Sequence, residues 1–589
     1  MNNTYTDERN FQMLIALLKD KGIHTVIASP GTANIALVAS VQGDPFFTVY
    51  SAPDERSAAY MACGFAAQSG EPVILSCTGA TASRNYMPGL TEAYYRKLPV
   101  LAVTSARHPG YIGQLTPQCM DRTAIPNDIA VASVQVPPVR SEEDAWNCNL
   151  KLNEALLALT RNGGGPVHVN IVSEVSNGFD VRDLPQARSI TRSVPGDELP
   201  KITAPRVAVF VGNHRPFDER TEAAIDRFCE RHNGCVLVDH TSNYHGSYGV
   251  EFNVISDQHR LTTDLRSPEL LIDLGEVTGS YMRLEPREVW RVSEDGEIRD
   301  RFKKLSRVFD MSESEFFSRY ANVDGSDMDA GDGASSMSYF EACRALHDRI
   351  MDQVPELPFS NLWIARTLSS RLPKNSKVQL GILNSLRSWN FFTVDDSIDC
   401  YSNTGGFGID GALSTMLGGA LAAPESLHFA FLGDLAFFYD MNVLGNRHVT
   451  SNMRILLVNN GVGTEFRNYG HIAHRFGEDA NEFIAAAGHY GNRSRSLVRH
   501  YAEDLGFEYR SAESKDEFLD RLDVFISPET GDKPVIFEVF TSSDDESDAL
   551  KAMNHIVTDK PTITDAAKGA VKRILGDGGV SALKQIVRR

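Results

Sequence analysis

Short apolar runs, each closing in a turn of small residues, recur along the chain and alternate with segments of helical period. "HTVIASPG", "PVILSCTGATA", "LPVLAVTSAR" and "GPVHVNIVSE" carry the pattern in the first third. "RVAVFVGN", "GCVLVDHT" and "ELLIDLG" continue it in the middle, and "SKVQLGILN", "HFAFLGD", "MRILLVNN" and "KPVIFEVF" in the last third. A strand that is apolar without alternation is buried on both faces, and strands separated by helices pair in parallel. The pattern therefore predicts an α/β fold of doubly wound, mainly parallel sheets. "TDERNFQMLIALLKDKG" predicts the first helix, with Phe11, Leu14, Ile15 and Leu18 on one face, acids in its first turn and Gly22 beyond its end.

A chain of 589 residues is long enough for several domains, at roughly 100–200 residues each. The Pro-rich connector "SVPGDELPKITAP" and the acidic Gly/Ser-rich "NVDGSDMDAGDGASSMS" mark the divisions. They give a first domain over 1–185, a central one over 203–320, a linker over 321–338 and a third domain over 339–560. The spaced aspartates of the linker lack the closing Glu of a calcium loop, so a solvated spacer is expected there. A tail over 561–589 combines Lys568, Lys572 and Arg573 with Val571, Ile574 and Leu575. It predicts short amphipathic helices that dock on the body or on a partner subunit.

Net charge of −19 opposes binding to nucleic acid or to an anionic membrane. Eight scattered cysteines without a CxxC pair fit a reducing compartment, and neither a signal-like N-terminus nor a spanning apolar stretch is present, so a cytoplasmic protein is expected.

The chemistry concentrates in residues 431–463, where Gly433-Asp434 follows one apolar run and Asn459-Asn460 the next. Ligands of open α/β sheets bind beyond the carboxyl ends of strands. If the two strands are neighbours, one carboxylate, one amide and a backbone carbonyl converge, a hard oxygen set suited to Mg²⁺ that leaves places for a diphosphate. Either Asn459 or Asn460 can supply the amide. "SNTGGFGIDGALS" adds Gly-rich backbone donors ahead of a helix, which suit phosphate oxygens. Separately, each of these motifs is also an ordinary turn.

The ordered pair Gly433-Asp434 and Asn459-Asn460 resembles the cofactor motif of thiamine-diphosphate (ThDP) enzymes of the 2-oxo acid decarboxylase and acetolactate synthase type. "SPGTANIALVASV", "APDERSAAYMACGFA" and "CTGATASRNYMPGLTEAYYRKLPVLAVTSAR" resemble the pyrimidine-binding domain of that superfamily. "YSNTGGFGIDGALST" and "GDLAFFYDMN" most resemble its MenD (SEPHCHC synthase) branch.

The resemblance implies pyrimidine-binding, central and diphosphate-binding domains, with active sites between subunits of a homodimer or homotetramer. It implies Glu55 as the catalytic acid that exchanges a proton with the cofactor's aminopyrimidine. It implies Mg²⁺ on Asp434, Asn460 and the Val462 carbonyl, and cofactor contacts from Gly405, Gly408, Ile409, Gly433, Asp434, Leu435 and Asn460. For substrate it points to Arg107, Gln114, Gln118 and Ser385. Family arginines that hold the carboxylates of isochorismate are replaced here by Thr32-Ala33, Thr404 and Trp389, with Arg387 two residues from the last. The expected activity is a carboligase that decarboxylates a 2-oxo acid and passes the acyl-anion equivalent to a less anionic acceptor. A non-ligating decarboxylase, SEPHCHC synthase itself and a catalytically silent binding subunit are the alternatives. His471, His474 and His489 are expected to be surface or packed histidines, with a proton donor in a loop over the cofactor as the alternative.

Overall fold

The computed structural model describes residues 4–321, 337–489 and 493–557. The expected tail, and the expected linker apart from Ala321, Met337 and Ser338, lie outside them. By compactness the chain falls into two units, Met1–Glu198 with Asp295–Asp310, and Leu199–Glu294 with Met311–Arg589.

The first unit carries β1 (Thr25–Ala28), β2 (Thr48–Ser51), β3 (Val73–Thr78), β4 (Val100–Ala106), β5 (Ala132–Val136) and β6 (Val167–Val172). They form one sheet in the order β2-β1-β3-β4-β6-β5, and each of its pairings is parallel. β1, β3, β4 and β6 are the interior strands the apolar runs predict. The first helix, Arg9–Asp20, starts later than its acids: Glu8 is the residue ahead of it. Glu8 is instead drawn away to accept hydrogen bonds from Ser173 Oγ and Glu174 N–H, at 2.9 and 2.8 Å.

β7 (Thr191–Ser193) follows in the same unit. In the second unit, β8 (Val207–Val211), β9 (Gly234–Val238), β10 (Gly249–Glu251), β11 (Leu270–Leu274) and β12 (Glu288–Val292) stand in the order β10-β9-β8-β11-β12. β13 (Leu305–Phe309) pairs in parallel with β7.

The last sheet comprises β14 (Lys377–Leu380), β15 (Asp399–Ser402), β16 (His428–Gly433), β17 (Met453–Asn459), β18 (Glu508–Ala512) and β19 (Val535–Phe540). Its order, β15-β14-β16-β17-β19-β18, repeats the topology of the first sheet strand for strand. Chain direction across the sheet reverses between β14 and β16, and such a switch point opens a crevice at the strands' carboxyl ends. Leu413, Met416 and Leu417 of the helix Ala412–Ala422 join Ala430, Leu432, Ile455 and Leu457 in one buried cluster. Each such leucine contributes about 1.5–3 kcal/mol of apolar burial. That packing fixes the glycine-rich loop just before the helix against the strand ends.

Among the described residues, no helix is long and apolar enough to cross a membrane.

Candidate active site

β16 and β17 are neighbours in parallel register, with Gly433 opposite Val458. The strand ends therefore bring Asp434 and Asn459-Asn460 together, as the sequence pattern requires. Asp434 opens the helix Asp434–Asp440 and is only 5% exposed. Its Oδ1 accepts from Leu435 N–H and its Oδ2 from Gly461 N–H, both at 2.8 Å. One carboxylate thus clasps both turns. Gly461 sits at φ 79°, a backbone that side chains rarely adopt, so the amide reaches Asp434 through a residue suited to that turn.

The structure separates the two asparagines. Asn459 is buried and donates from Nδ2 to Glu538 Oε1 at 2.7 Å, while Glu538 Oε2 accepts from Tyr509 Oη at 2.7 Å. Its amide is consumed inside the sheet. Asn460 is half-buried, and among the described residues its Oδ1 accepts only from the Val462 N–H, at 3.4 Å. Asn460 is therefore the amide available to a ligand. Sequence reasoning missed Glu538, although a lone acid inside the apolar "KPVIFEVF" is the kind of residue that asks for a buried partner.

Do these residues fit Mg²⁺? Burial pushes the Asp434 carboxyl up to about 6, and no Lys, Arg or His pairs with it among the described residues. No group of three or more His, Cys, Asp or Glu side chains suited to a metal occurs among the described residues either. A single buried acid with an amide and a carbonyl beside it is the donor set Mg²⁺ uses when phosphates and water complete its shell. The residues fit.

The loop between β15 and the helix Ala412–Ala422 carries Gly405, Gly406 and Gly408. A side chain placed at Gly405 or Gly406 would meet nothing within 4 Å, which leaves the backbone open to a ligand. Gly408 differs: a Cβ there would lie 2.4 Å from Asp410 Oδ1, so it serves the loop's own turn. Ile409 is partly buried and packs against the cluster under β16 and β17.

In the first unit, Glu55 is the first residue of the helix Glu55–Ser69, immediately after Asp54, whose side chain caps the helix by accepting from Arg56 N–H. Glu55 is half-buried and its Oε2 accepts from Asn85 Nδ2 at 3.1 Å. Its charge reaches the buried Cys77 thiol, which burial pushes up to about 12. Arg107 and Gln118 line one cavity of about 290 Å³, and Gln114 does not belong to it. Arg122, which sequence reasoning did not single out, lines the same cavity; it is 4% exposed and donates to Asn170 Oδ1 and Ser83 Oγ, each at 3.3 Å.

Ser385 is buried in the helix Asn384–Trp389 that follows β14, and it accepts from Asn361 Nδ2 at 3.3 Å. Behind it lies Glu546, which accepts from Asn361 N–H and Thr541 Oγ1, both at 2.9 Å. Burial pushes the Glu546 carboxyl up from 4.5 to about 7. The protonated form is then favoured by folding, so its stabilising contribution is full below pH 4.5 and lost as pH rises through 7. Glu546→Gln, neutral throughout, is expected to match the parent near pH 4.5 and exceed it by on the order of 1–3 kcal/mol at pH 8. Melting curves across that range check this; a pH-independent difference contradicts it.

His471 Nδ1 accepts from Ala473 N–H, and His474 Nδ1 lies 2.9 Å from the Arg467 carbonyl. Both side chains thus have local structural partners.

Residues 9–125 match the family model described as "Thiamine pyrophosphate enzyme, N-terminal TPP binding domain". With Glu55 inside that match and the Asp434–Gly461 clasp on the last sheet, the chain is a thiamine-diphosphate-dependent enzyme. It is 31% identical to a 2-succinyl-5-enolpyruvyl-6-hydroxy-3-cyclohexene-1-carboxylate synthase of Bacteroides fragilis, over 94% of this chain and 99% of the relative. Synthases of the same name from Bacteroides thetaiotaomicron (30% identical, 94% and 100% covered) and Flavobacterium psychrophilum (27%, 90% and 95%) also match. The chain belongs to this synthase family.

Proposed function

We propose that the protein is a ThDP- and Mg²⁺-dependent carboligase that uses a 2-oxo acid as donor and a small carbonyl or enone compound as acceptor. The observation that carries this is the clasp of Asp434 on Gly461 N–H, which sets Asn460 beside a buried acid that has no cation partner among the described residues. Asp434, Asn460 and the Val462 carbonyl hold the metal, and the open backbone at Gly405 and Gly406 receives the diphosphate. Ile409 supplies an apolar support, and Gly433 and Leu435 flank the metal ligand. When bound, thiamine diphosphate supplies the electron sink that turns a 2-oxo acid into an acyl-anion equivalent. Glu55 exchanges a proton with the aminopyrimidine ring nitrogen and is kept oriented by Asn85. Arg107 and Gln118, in one cavity, and Ser385 orient substrate oxygens.

The reading includes a homodimer or homotetramer, in which the Glu55 half-site of one subunit meets the Asp434 half-site of its partner, working in the cytoplasm. The acceptor is less anionic than the isochorismate of the family's named reaction, because Thr32, Ala33, Thr404 and Trp389 stand at positions where the family uses polar or cationic groups. Each lost charge-assisted contact is worth about 1.5–3 kcal/mol.

The named synthase reaction is a second reading, favoured by the 31% identity over nearly all of both chains. Incubation of the purified protein with 2-oxoglutarate and isochorismate, followed by product analysis, decides between them. The first reading expects CO₂ release with little of the named product; efficient formation of that product overturns the choice of acceptor.

A further inference from the structure

The second unit holds a cavity of about 420 Å³ whose lining includes Asp257, Arg283, Arg387, Glu465, Tyr469 and His471. Arg387 comes from the helix after β14, which also carries Ser385, and Glu465 from the segment after β17, which also carries Asn460. The cavity is thus built by the same strand ends that carry the candidate cofactor and substrate residues.

Its charges are unevenly available. Arg387 is committed: Nη1 donates to Glu465 Oε2 at 2.7 Å and Nη2 to Glu465 Oε1 at 3.0 Å, a two-point fork. Both planar groups are satisfied by each other, so a ligand carboxylate can reach Arg387 only by displacing Glu465. Arg283 is exposed at the rim and forms no ion pair among the described residues. Asp257 feels both arginines, and burial holds its carboxyl up at about 6. Arg266, behind the wall, spends its guanidinium on the carbonyls of Leu261 and Gln258, at 3.1 and 2.9 Å. Two arginines against two carboxyls leave the lining without net charge, and only Arg283 has an uncommitted guanidinium.

We propose that Glu465 is a specificity-determining residue: by occupying Arg387 it sets this cavity to take a small polar ligand with one carboxylate, paired with Arg283, and to give a second carboxylate no cationic partner. That the ligand is the acceptor rests on the carboligase reading; the charge selection rests on the cavity alone. Glu465 acts on the ligand by occupying Arg387, so its role is read as a change of preference between ligands rather than as a loss of rate.

Calorimetric titration of the full-length protein with benzoate and isophthalate tests this, the pair differing by one carboxylate on the same ring. The wild-type protein is expected to bind isophthalate no more than about threefold tighter than benzoate. Glu465→Gln releases Arg387 and is expected to tighten isophthalate by about tenfold or more, the scale of one charge-assisted contact, with benzoate changed less than about threefold. Glu465→Gln combined with Arg387→Met is expected to lose that gain. Wild-type preference for isophthalate by about tenfold overturns the proposal without recourse to any variant. So does unchanged or unmeasurable isophthalate binding by folded Glu465→Gln, or a gain that survives in the double variant. Thiamine diphosphate titrated into the same wild-type sample keeps the two readings apart: its failure to bind, with the probe pattern intact, removes the carboligase reading only.

Discussion

Glu55→Gln is expected to bind thiamine diphosphate within about threefold of the parent while kcat/KM falls by about 10²–10⁴, the range for removing a positioned acid–base group. The substitution keeps size and hydrogen-bonding reach, and Asn85 Nδ2 still finds an acceptor in the amide oxygen. What is lost is the group that can take up and return a proton. Exchange of the thiazolium C2 proton with deuterium, followed by NMR on the protein with bound cofactor, separates this role from a structural one. Unchanged exchange in Glu55→Gln would contradict the assignment. Because Asp54 and not Glu55 caps the helix, Glu55→Gln is expected to leave the melting temperature nearly unchanged.

Asp434→Ala should be the more damaging substitution for binding. The carboxylate has two duties, as the single acid of the metal set and as the acceptor that ties Gly461 N–H to Leu435 N–H across two strand ends. Alanine removes both, and takes one acceptor from the half-buried N–H groups of Leu435 and Gly461, at a cost of about 1 kcal/mol. Cofactor affinity measured with Mg²⁺ is expected to weaken by about 10² or more. Asp434→Asn keeps one acceptor oxygen but no charge, and is expected to recover stability without recovering metal affinity. A direct readout is the rise in melting temperature on adding Mg²⁺ and thiamine diphosphate together, since a ligand that binds only the folded state stabilises it in proportion to the logarithm of its saturation. The parent should show the rise and Asp434→Ala should not. Equal rises in both would remove Asp434 from the metal set.

The interior of the first and last sheets was legible in the sequence, and the edges were not. β3, β4, β16 and β17 are covered on both faces, so their residues read as apolar runs. β2 is largely exposed and β18 half-exposed, and "TVYS" and "EYRSA" carry no such run. β10 is only three residues long, and β7 and β13 are short or mixed and owe their mutual pairing to neighbours distant in sequence. The site shows the same division. Asp434 and the Asn-Asn pair announce themselves because the strand–turn pattern fixes their place at strand ends. The choice between Asn459 and Asn460 depends on Glu538, 79 residues further on, and the neutralisation of Arg387 on Glu465, 78 residues away. No local pattern encodes either partner. Local patterning thus places the candidate cofactor ligands, while the proposed substrate preference rests on one long-range ion pair.

The measurement that bears most directly on the account is CO₂ release from a panel of 2-oxo acids by the purified protein, with thiamine diphosphate and Mg²⁺ each added or withheld and no acceptor present. The account predicts release from at least one acid that requires thiamine diphosphate, falls with Mg²⁺ removed, and drops by about 10²–10⁴ in Glu55→Gln. Absence of release from every acid by folded, cofactor-saturated protein would contradict it, as would release that persists undiminished in Glu55→Gln.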